Sequence, residues 1–158
     1  MEYCRQEPQW LTDAKQAPYL RLRVFENHNL DAYSGLIDQF KDQIKDFVEC
    51  GADSAVFEMN DGNILKFSYK SLKRFHGKRS FDLPMLEKGK LKTEVNGKPV
   101  TAYWHIQPKA EVCKTNKEFE KFNKKLQGHK FIDFSLGQIG SYNGEMKLLD
   151  YYAVVASE

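Results

Sequence analysis

The sequence has little of several features that mark particular protein classes. Its three cysteines, Cys4, Cys50 and Cys113, are widely spaced and form neither a CxxC pair nor a metal-ligand interval with histidine. Reduced thiols in a cytosol are therefore the simplest reading, and no zinc site is predicted. No run of 18 apolar residues occurs, and the first residues lack the apolar core of a signal peptide. Neither a membrane span nor secretion is expected, and the predicted location is the cytoplasm.

Neither sign of charge dominates the chain. The 24 Lys and Arg residues stand against 22 Asp and Glu residues, a formal net charge of +2, which is too small to indicate a nucleic-acid or membrane partner. No Gly-x-Ser-x-Gly, Walker loop or Cys-His pairing supports a hydrolase or a P-loop protein. What the sequence does have is 41% hydrophobic and 13% aromatic residues in 158 positions. These supply a packed core, so one globular domain, residues 1–158, is predicted.

The first third of the chain shows two periodic patterns. Apolar and basic residues alternate over Tyr19–Phe25, which predicts a half-exposed strand. Apolar residues then recur at steps of three and four from Asp31 to Val48, which predicts an amphipathic helix. Asn29 or Asp31 is the candidate N-cap, Gly51 is a candidate terminator, and an extended conformation for the last few residues is the alternative.

Three turn dipeptides separate strand-like runs in the rest of the chain. Asp61-Gly62 lies between Ala55–Met59 and Ile64–Tyr69, Asn96-Gly97 between Leu91–Val95 and Val100–Ile106, and Asn143-Gly144 between Gln138–Tyr142 and Glu145–Val155. Each pair of runs is predicted to form a hairpin, because these turn residues tolerate positive φ. A short helix around Asp82–Glu87 is predicted between the first two hairpins. The predicted fold class is α+β with antiparallel sheets.

A capping box predicts one further helix. Thr115 is followed three residues later by Glu118, and Phe119, Phe122 and Leu126 then share one helical face. Gly128 is the candidate terminator.

Lys66 lies in the middle of a predicted strand, and Gly51, Ser54 and Val56 precede it. This order resembles the start of the protein-kinase-like fold, in which a glycine-rich turn between two strands covers nucleotide phosphates and a lysine on the third strand pairs with them. Gly51, Ser54 and Val56 match the second glycine, the third glycine and the following valine of that loop. The resemblance implies that these residues and Lys66 bind a nucleotide.

The second half of the chain continues the resemblance. Asp133 and Gln138 are five residues apart, and the third predicted hairpin leads to Asp150. Kinases place a catalytic Asp, a metal-holding amide and a second metal-binding Asp in this order. The resemblance, which covers residues 47–152, implies that Asp133 orients or deprotonates the acceptor hydroxyl. It also implies that Gln138 and Asp150 hold Mg²⁺ beside ATP.

The sequence departs from the family pattern at several motifs. Phe131-Ile132 replaces the usual His-Arg, Gln138 replaces Asn, and Asp150-Tyr151-Tyr152 replaces Asp-Phe-Gly. The chain ends eight residues after Asp150, so a kinase-like protein without an activation segment and with a much reduced C-lobe is expected.

The helix glutamate that pairs with Lys66 in this family is assigned to Glu87, with Glu94 as the alternative. The expected organisation is an N-terminal strand and helix extension over 1–50, an N-lobe-like antiparallel sheet over 51–106 and a reduced C-lobe with a catalytic-loop-like segment over 107–158.

Two functions follow from the resemblance. The first is a minimal kinase-like phosphotransferase that uses ATP and Mg²⁺ on an unknown acceptor. The alternative is a noncatalytic, pseudokinase-like interaction protein that binds and modulates a macromolecular partner through Lys70–Arg79 or the N-terminal extension. Neither a membrane nor a nucleic acid is expected as a partner.

Each candidate residue also has a purely structural interpretation. Lys66 is then an outward-facing strand lysine, Asp133 closes a turn, and Asp150 is an edge charge that discourages strand association. By the same reasoning Lys70–Arg79 is a solvated basic segment, and His105 is a satisfied core or hinge residue. An α+β domain unrelated to kinases is a third possibility.

Overall fold

A computed structural model describes residues 35–50, 54–95, 97–126 and 136–155. The chain divides into two compact units, Met1–Ser71 with Leu86–Gln107, and Leu72–Met85 with Pro108–Glu158. The predicted α+β class with mostly antiparallel sheets is confirmed. The strand predicted over Tyr19–Phe25 lies outside the described residues. Within the described ranges, no helix has both the length and the apolar character needed to cross a membrane.

The described part of the first unit forms a five-stranded antiparallel sheet in the order β1-β2-β3-β5-β4. Its strands are β1 (Ile44–Cys50), β2 (Ser54–Met59), β3 (Ile64–Ser68), β4 (Glu87–Val95) and β5 (Lys98–Gln107). The first two predicted hairpins are confirmed as β2–β3 and β4–β5. Gly62 adopts φ of 89° in the first turn, where the backbone N–H of Asn63 donates to Asp61 Oδ1 at 2.9 Å. Asn96 of the second turn lies outside the described residues.

One face of this sheet carries the core of the first unit. Alternation along β3 buries Leu65 and Phe67 on that face and leaves Ile64 and Lys66 half-buried on the other. Residues 35–40 are helical and cover the core face. The core residues are Leu36, Ile37, Phe40, Ile44, Ala55, Phe57, Met59, Leu65, Phe67, Ala102, Trp104 and Ile106. Burying each large apolar side chain contributes roughly 1.5–3 kcal/mol to folding.

The helix predicted from Asp31 to Val48 is only partly right. Residues 35–40 are helical, but Ile44–Cys50 is strand β1, which is the extended alternative for the end of this segment. β1 pairs with β2 from Ile44 opposite Met59 onwards, with register shifts along its length. Hydrogen bonding to a neighbouring strand thus overrides a helical periodicity that extends beyond the last helical turn.

The described residues of the second unit form a three-stranded antiparallel sheet in the order β6-β7-β8. The strands are β6 (Glu111–Val112), β7 (Ile139–Tyr142) and β8 (Glu145–Leu148). The third predicted hairpin is confirmed as β7–β8, and its turn residues Asn143 and Gly144 have φ of 51° and 81°. The second strand is shorter than predicted, because the chain leaves β8 and forms the 3-10 helix Tyr151–Ala153.

The capped helix is confirmed as α1 (Asn116–Lys125). Thr115 is its N-cap, and Thr115 Oγ1 accepts a hydrogen bond from the backbone N–H of Glu118 at 3.3 Å. The C-cap is Leu126, and Gly128 lies outside the described residues. Phe122 and Leu126 are 2% and 1% exposed, as the shared helical face predicts. The second core comprises Phe81, Cys113, Phe122, Leu126, Ile139, Leu148, Ala153 and Val154.

The segment Leu72–Met85 belongs to the second unit although it connects two strands of the first. Its backbone runs beside the end of β8. The backbone N–H of Leu83 donates to Leu148 O at 2.9 Å, and the backbone N–H of Leu148 donates to Phe81 O at 2.7 Å. The short helix predicted around Asp82–Glu87 is therefore wrong, because these backbone groups bond to Leu148 instead of to a helical turn.

Candidate functional site

Lys66 occupies the third strand of the first unit, on the sheet face opposite the core. Its direct neighbours across the sheet are Val56 on β2 and His105 on β5. Ser54 begins β2 opposite Ser68, on the same face as Val56. The structure therefore brings Ser54 and Val56 to the same sheet face as Lys66, while Gly51 lies outside the described residues.

Glu87 and Glu94 are not brought to Lys66. Lys88 is the residue of β4 that opposes His105, so Glu87, one residue earlier, lies on the core side of the strand and opposes Ile106. Glu94 opposes Pro99 at the far end of the hairpin, roughly 20 Å along β4 from Lys88. Neither glutamate lies on a helix. The predicted pairing of Glu87 with Lys66 therefore does not form in the first unit.

Gln138 and Asp150 are brought together in the second unit by the β7–β8 hairpin. Ile139 opposes Leu148, and the backbone N–H of Leu149 donates to Gln138 O at 2.7 Å. Gln138 Nε2 consequently lies 3.4 Å from Asp150 Oδ2, to which it donates. Asp150 Oδ1 accepts from the backbone N–H of Tyr152 at 3.1 Å. Asp133, the predicted catalytic residue, lies outside the described residues.

The Asp150–Gln138 pair offers oxygen atoms from a carboxylate and an amide. The Asp150 carboxylate and the Gln138 amide oxygen are hard ligands, which Mg²⁺ prefers. In the described part of the chain, no group of three or more His, Cys, Asp or Glu side chains is arranged to hold a metal ion. Mg²⁺ commonly keeps several waters and binds one or two carboxylates together with substrate phosphates. In the structure Gln138 directs its amide nitrogen, not its amide oxygen, at the Asp150 carboxylate.

Sequence reasoning missed a buried ion pair close to Asp150. Arg79 Nε lies 2.8 Å from Asp82 Oδ2, and the two side chains are 1% and 0% exposed. Arg79 also donates to Tyr151 O at 2.8 Å and to Val154 O at 2.7 Å. The pair therefore clamps the chain that directly follows Asp150. Its only signal in the sequence is the spacing of three residues between opposite charges.

The basic segment Lys70–Arg79 is thus not uniformly solvated. Lys70, Lys73 and Lys78 are exposed, whereas His76 and Arg79 are each 5% exposed. His76 Nδ1 accepts from the backbone N–H of Lys73 at 3.0 Å. The His76 ring also contacts the rings of Tyr151 and Tyr152, at centroid distances of 6.2 and 5.0 Å.

Burial changes the acid–base chemistry of this clamp. Burial raises the pKa of the Asp82 carboxyl above its ordinary value, against the opposing effect of the hydrogen bonds and charge of Arg79. Burial also raises the pKa of the Tyr151 hydroxyl, and the negative charge of Asp82 raises it further. Tyr151 therefore stays neutral at physiological pH.

His105 has the structural setting that the sequence predicts. It is 4% exposed, and its Nε2 lies 3.0 Å from Gln107 Oε1. This ring is therefore a buried, hydrogen-bonded neighbour of Lys66 on the outer face of the sheet.

Comparison with known proteins assigns no relative. No model of a known protein family matches the chain, and no curated protein matches it. The functional interpretation therefore depends on the geometry described above.

Proposed function

We propose that the protein is a minimal kinase-like protein that binds ATP with Mg²⁺ and transfers a phosphoryl group to an acceptor of unknown identity. One observation carries the proposal: Gln138 and Asp150, twelve residues apart, meet at 3.4 Å through the β7–β8 hairpin. A hairpin that leads to a metal-binding Asp is the feature that the kinase resemblance implies for this segment. We place the protein in the cytoplasm.

The position of Lys66 supports the same proposal. In protein kinases a loop between the first two strands covers the phosphates, and the phosphate-binding lysine lies on the third strand. Here residues 51–53 separate β1 from β2 in sequence, and Lys66 is the middle residue of β3. Val56 on β2 opposes Lys66. The resemblance implies such a position for the valine that follows the phosphate-covering loop.

The proposed roles follow from the residue types. Lys66 supplies a cation for the phosphates, and Gln138 and Asp150 supply oxygen ligands for Mg²⁺. Asp133 accepts the proton of the acceptor hydroxyl while the acceptor oxygen bonds to the terminal phosphorus and the bond from that phosphorus to the bridging oxygen breaks. The magnesium ion, when bound, neutralises negative charge on the phosphates.

A second candidate function is the noncatalytic, pseudokinase-like interaction protein. Two observations favour it: Asp150 Oδ1 already caps the turn at Tyr152, and Glu87 lies on the sheet face opposite Lys66. The exposed lysines Lys70, Lys73 and Lys78 would then contact an acidic macromolecular partner.

Thermal or chemical unfolding in the presence of nucleotide tests the first proposal. MgATP at 100 times its Kd should raise the free energy of unfolding by about 2.7 kcal/mol. Lys66→Ala should abolish that increase. Lys92→Ala, which removes an exposed lysine from β4, is the matched control and should retain it. No increase at millimolar MgATP, or an equal increase in the Lys66 variant, would contradict nucleotide binding.

Asp150→Asn separates the two candidate functions. Asparagine keeps a side-chain oxygen that caps Tyr152 but removes the carboxylate charge that Mg²⁺ requires. A phosphotransferase should lose Mg²⁺-dependent autophosphorylation or phosphate release in this variant while its unfolding midpoint stays close to that of the parent. A protein that shows neither activity, and whose Asp133→Ala, Asp150→Asn variant retains a stable partner, is an interaction protein.

A further inference from the structure

A cleft in the second unit is lined by α1, by β8 and by Ser80 and Phe81. Its volume is about 720 Å³, within the range of about 300–1,000 Å³ that is typical of ligand-binding clefts. Its apolar lining comes from Phe81, Phe122, Leu126 and Met146. We call the space beside these four residues the β8 cleft. None of the described residues that line it is proposed above to bind the nucleotide or Mg²⁺.

The backbone of β8 offers hydrogen-bonding groups beside this cleft. In an antiparallel pair, alternate residues of a strand direct their N–H and C=O groups away from the partner strand. Leu148 does so, because its N–H donates to Phe81 O and its C=O accepts from the N–H of Leu83. Met146, two residues earlier, directs its groups to the same edge. No residue of the described ranges bonds to them there, so this edge offers a donor and an acceptor to an added strand.

Two lysines of α1 border the same cleft. Lys121 and Lys125 are exposed, and neither forms an ion pair within the part of the chain that the structure describes. Lys147, by contrast, pairs with Glu145 at 3.1 Å. Glu118, the acidic residue that α1 adds to the lining, lies in the first turn of the helix. The wall that α1 forms is therefore cationic along the C-terminal half of the helix.

The spacing of the two lysines suits an extended peptide. Lys121 and Lys125 are four residues apart, which is about 6 Å along a helix axis. Alternate residues of an extended chain project to the same side about 6.8 Å apart. Carboxylates on alternate residues of a peptide therefore match the lysines, and the intervening side chains project to the opposite side. A nucleic acid has no backbone amides for the edge of β8, and Glu118 and Glu145 would repel its phosphates.

We propose that the β8 cleft binds an extended acidic peptide. The peptide backbone pairs with Met146 as an added strand, carboxylates on alternate residues contact Lys121 and Lys125, and the intervening apolar side chains cover the apolar lining. This inference goes beyond the proposed function, because it assigns a peptide partner to a surface that the nucleotide does not use. If the two lysines served only solubility, removing them would affect peptide binding no more than removing Lys117 and Lys124, exposed residues of α1 that do not line the cleft.

Isothermal titration of the full chain with the acetylated and amidated peptide Val-Glu-Val-Glu-Val tests the inference. The Lys121→Gln, Lys125→Gln variant should bind it about two- to twentyfold more weakly than the parent, the range for two exposed ion pairs. The Lys117→Gln, Lys124→Gln variant is the matched control, since it removes two exposed lysines from the same helix, and it should keep the parent affinity. Raising the salt concentration should reduce the difference between these variants.

Native-state amide exchange distinguishes strand addition from attraction between charges alone. The Met146 N–H should exchange more slowly when the peptide is bound, because the peptide backbone then accepts its hydrogen bond. A peptide of the same sequence with every amide nitrogen methylated keeps both carboxylates but has no N–H to donate. It should bind more weakly than the parent peptide.

Several outcomes would overturn the inference. These are no binding at millimolar peptide, equal weakening in the two double variants, and binding that leaves the exchange of the Met146 N–H unchanged. Free glutamate that displaces the peptide at equal carboxylate concentration would also overturn it, since the cleft would then be a small-molecule site. The dependence of MgATP binding on Lys66 is measured separately, so the proposed function and this inference can each fail while the other stands.

Discussion

At the scale of single residues, the buried Arg79–Asp82 pair has the greatest structural consequence. Asp82 Oδ2 accepts from the Arg79 side chain and from the backbone N–H groups of Gly77 and Arg79. Arg79 in turn donates hydrogen bonds to the backbone carbonyls of Tyr151 and Val154. Removing one partner of a buried pair leaves the other charge uncompensated, which typically costs about 3–5 kcal/mol. The conformation of the segment after Asp150 therefore depends on residues about 70 positions earlier.

The raised pKa of Asp82 predicts a specific pH dependence of stability. Because folding favours the protonated form of this carboxyl, its contribution is fully present below its unfolded pKa and is lost as pH rises through its folded pKa. The free energy of unfolding of the parent minus that of Asp82→Asn should therefore fall with pH above about 4, by at most about 1.4 kcal/mol per pH unit. Urea unfolding of both proteins from pH 3 to pH 7 measures this difference. A difference that rises with pH would show that the Arg79 charge outweighs burial.

At the scale of elements, local capping and turn chemistry determines where helices and hairpins begin. Thr115 satisfies a backbone N–H at the start of α1, and Asn143 and Gly144 adopt the positive φ values that a tight hairpin turn requires. The hairpin that the β7–β8 turn closes brings Gln138 to Asp150, the two residues of the proposed magnesium site.

The cap of α1 predicts a measurable stability difference. Thr115→Ala removes the oxygen that accepts from the Glu118 N–H and should lower the free energy of unfolding by about 1 kcal/mol, within a range of about 0.5–2. Thr115→Ser keeps that oxygen and is the control. Thr115 is exposed, so packing contributes little to either change. Equal losses in the two variants by chemical denaturation would disprove the capping role.

At the scale of the whole molecule, the described residues form two separate hydrophobic cores, one in each compact unit. Ile106 is 7% exposed in the first core, and Ile139 is fully buried in the second. Each core is enclosed by its own sheet and helical segment, so each unit has its own source of stability.

Matched substitutions in the two cores test that independence. Ile106→Val and Ile139→Val each remove one methylene, at a cost of about 0.5–1.5 kcal/mol. Ile139→Val should speed native-state amide exchange in β7 and β8 without changing β2 and β3, and Ile106→Val should do the opposite. If each variant reduced protection equally in both units, the chain would unfold as one cooperative unit.

The sequence by itself determined the features that depend on neighbouring residues. The three hairpin turns, the cap at Thr115 and the core face of α1 all follow from side chains within a few positions of one another, because capping and turn formation are local interactions. The alternation of β3 similarly predicted that Lys66 lies on the face opposite Leu65 and Phe67.

Only the tertiary structure decided the features that depend on distant partners. Ile44–Cys50 forms a strand because β2 offers it a hydrogen-bonding edge. Arg79 is buried where the backbone carbonyls of Tyr151 and Val154 accept hydrogen bonds from its guanidinium group. The register of β4 on β5 is a further case. Lys88 pairs with His105, and because strand side chains alternate between the two faces, Glu87 lies on the face away from Lys66. Pairing between distant segments sets these outcomes, and no local periodicity encodes it.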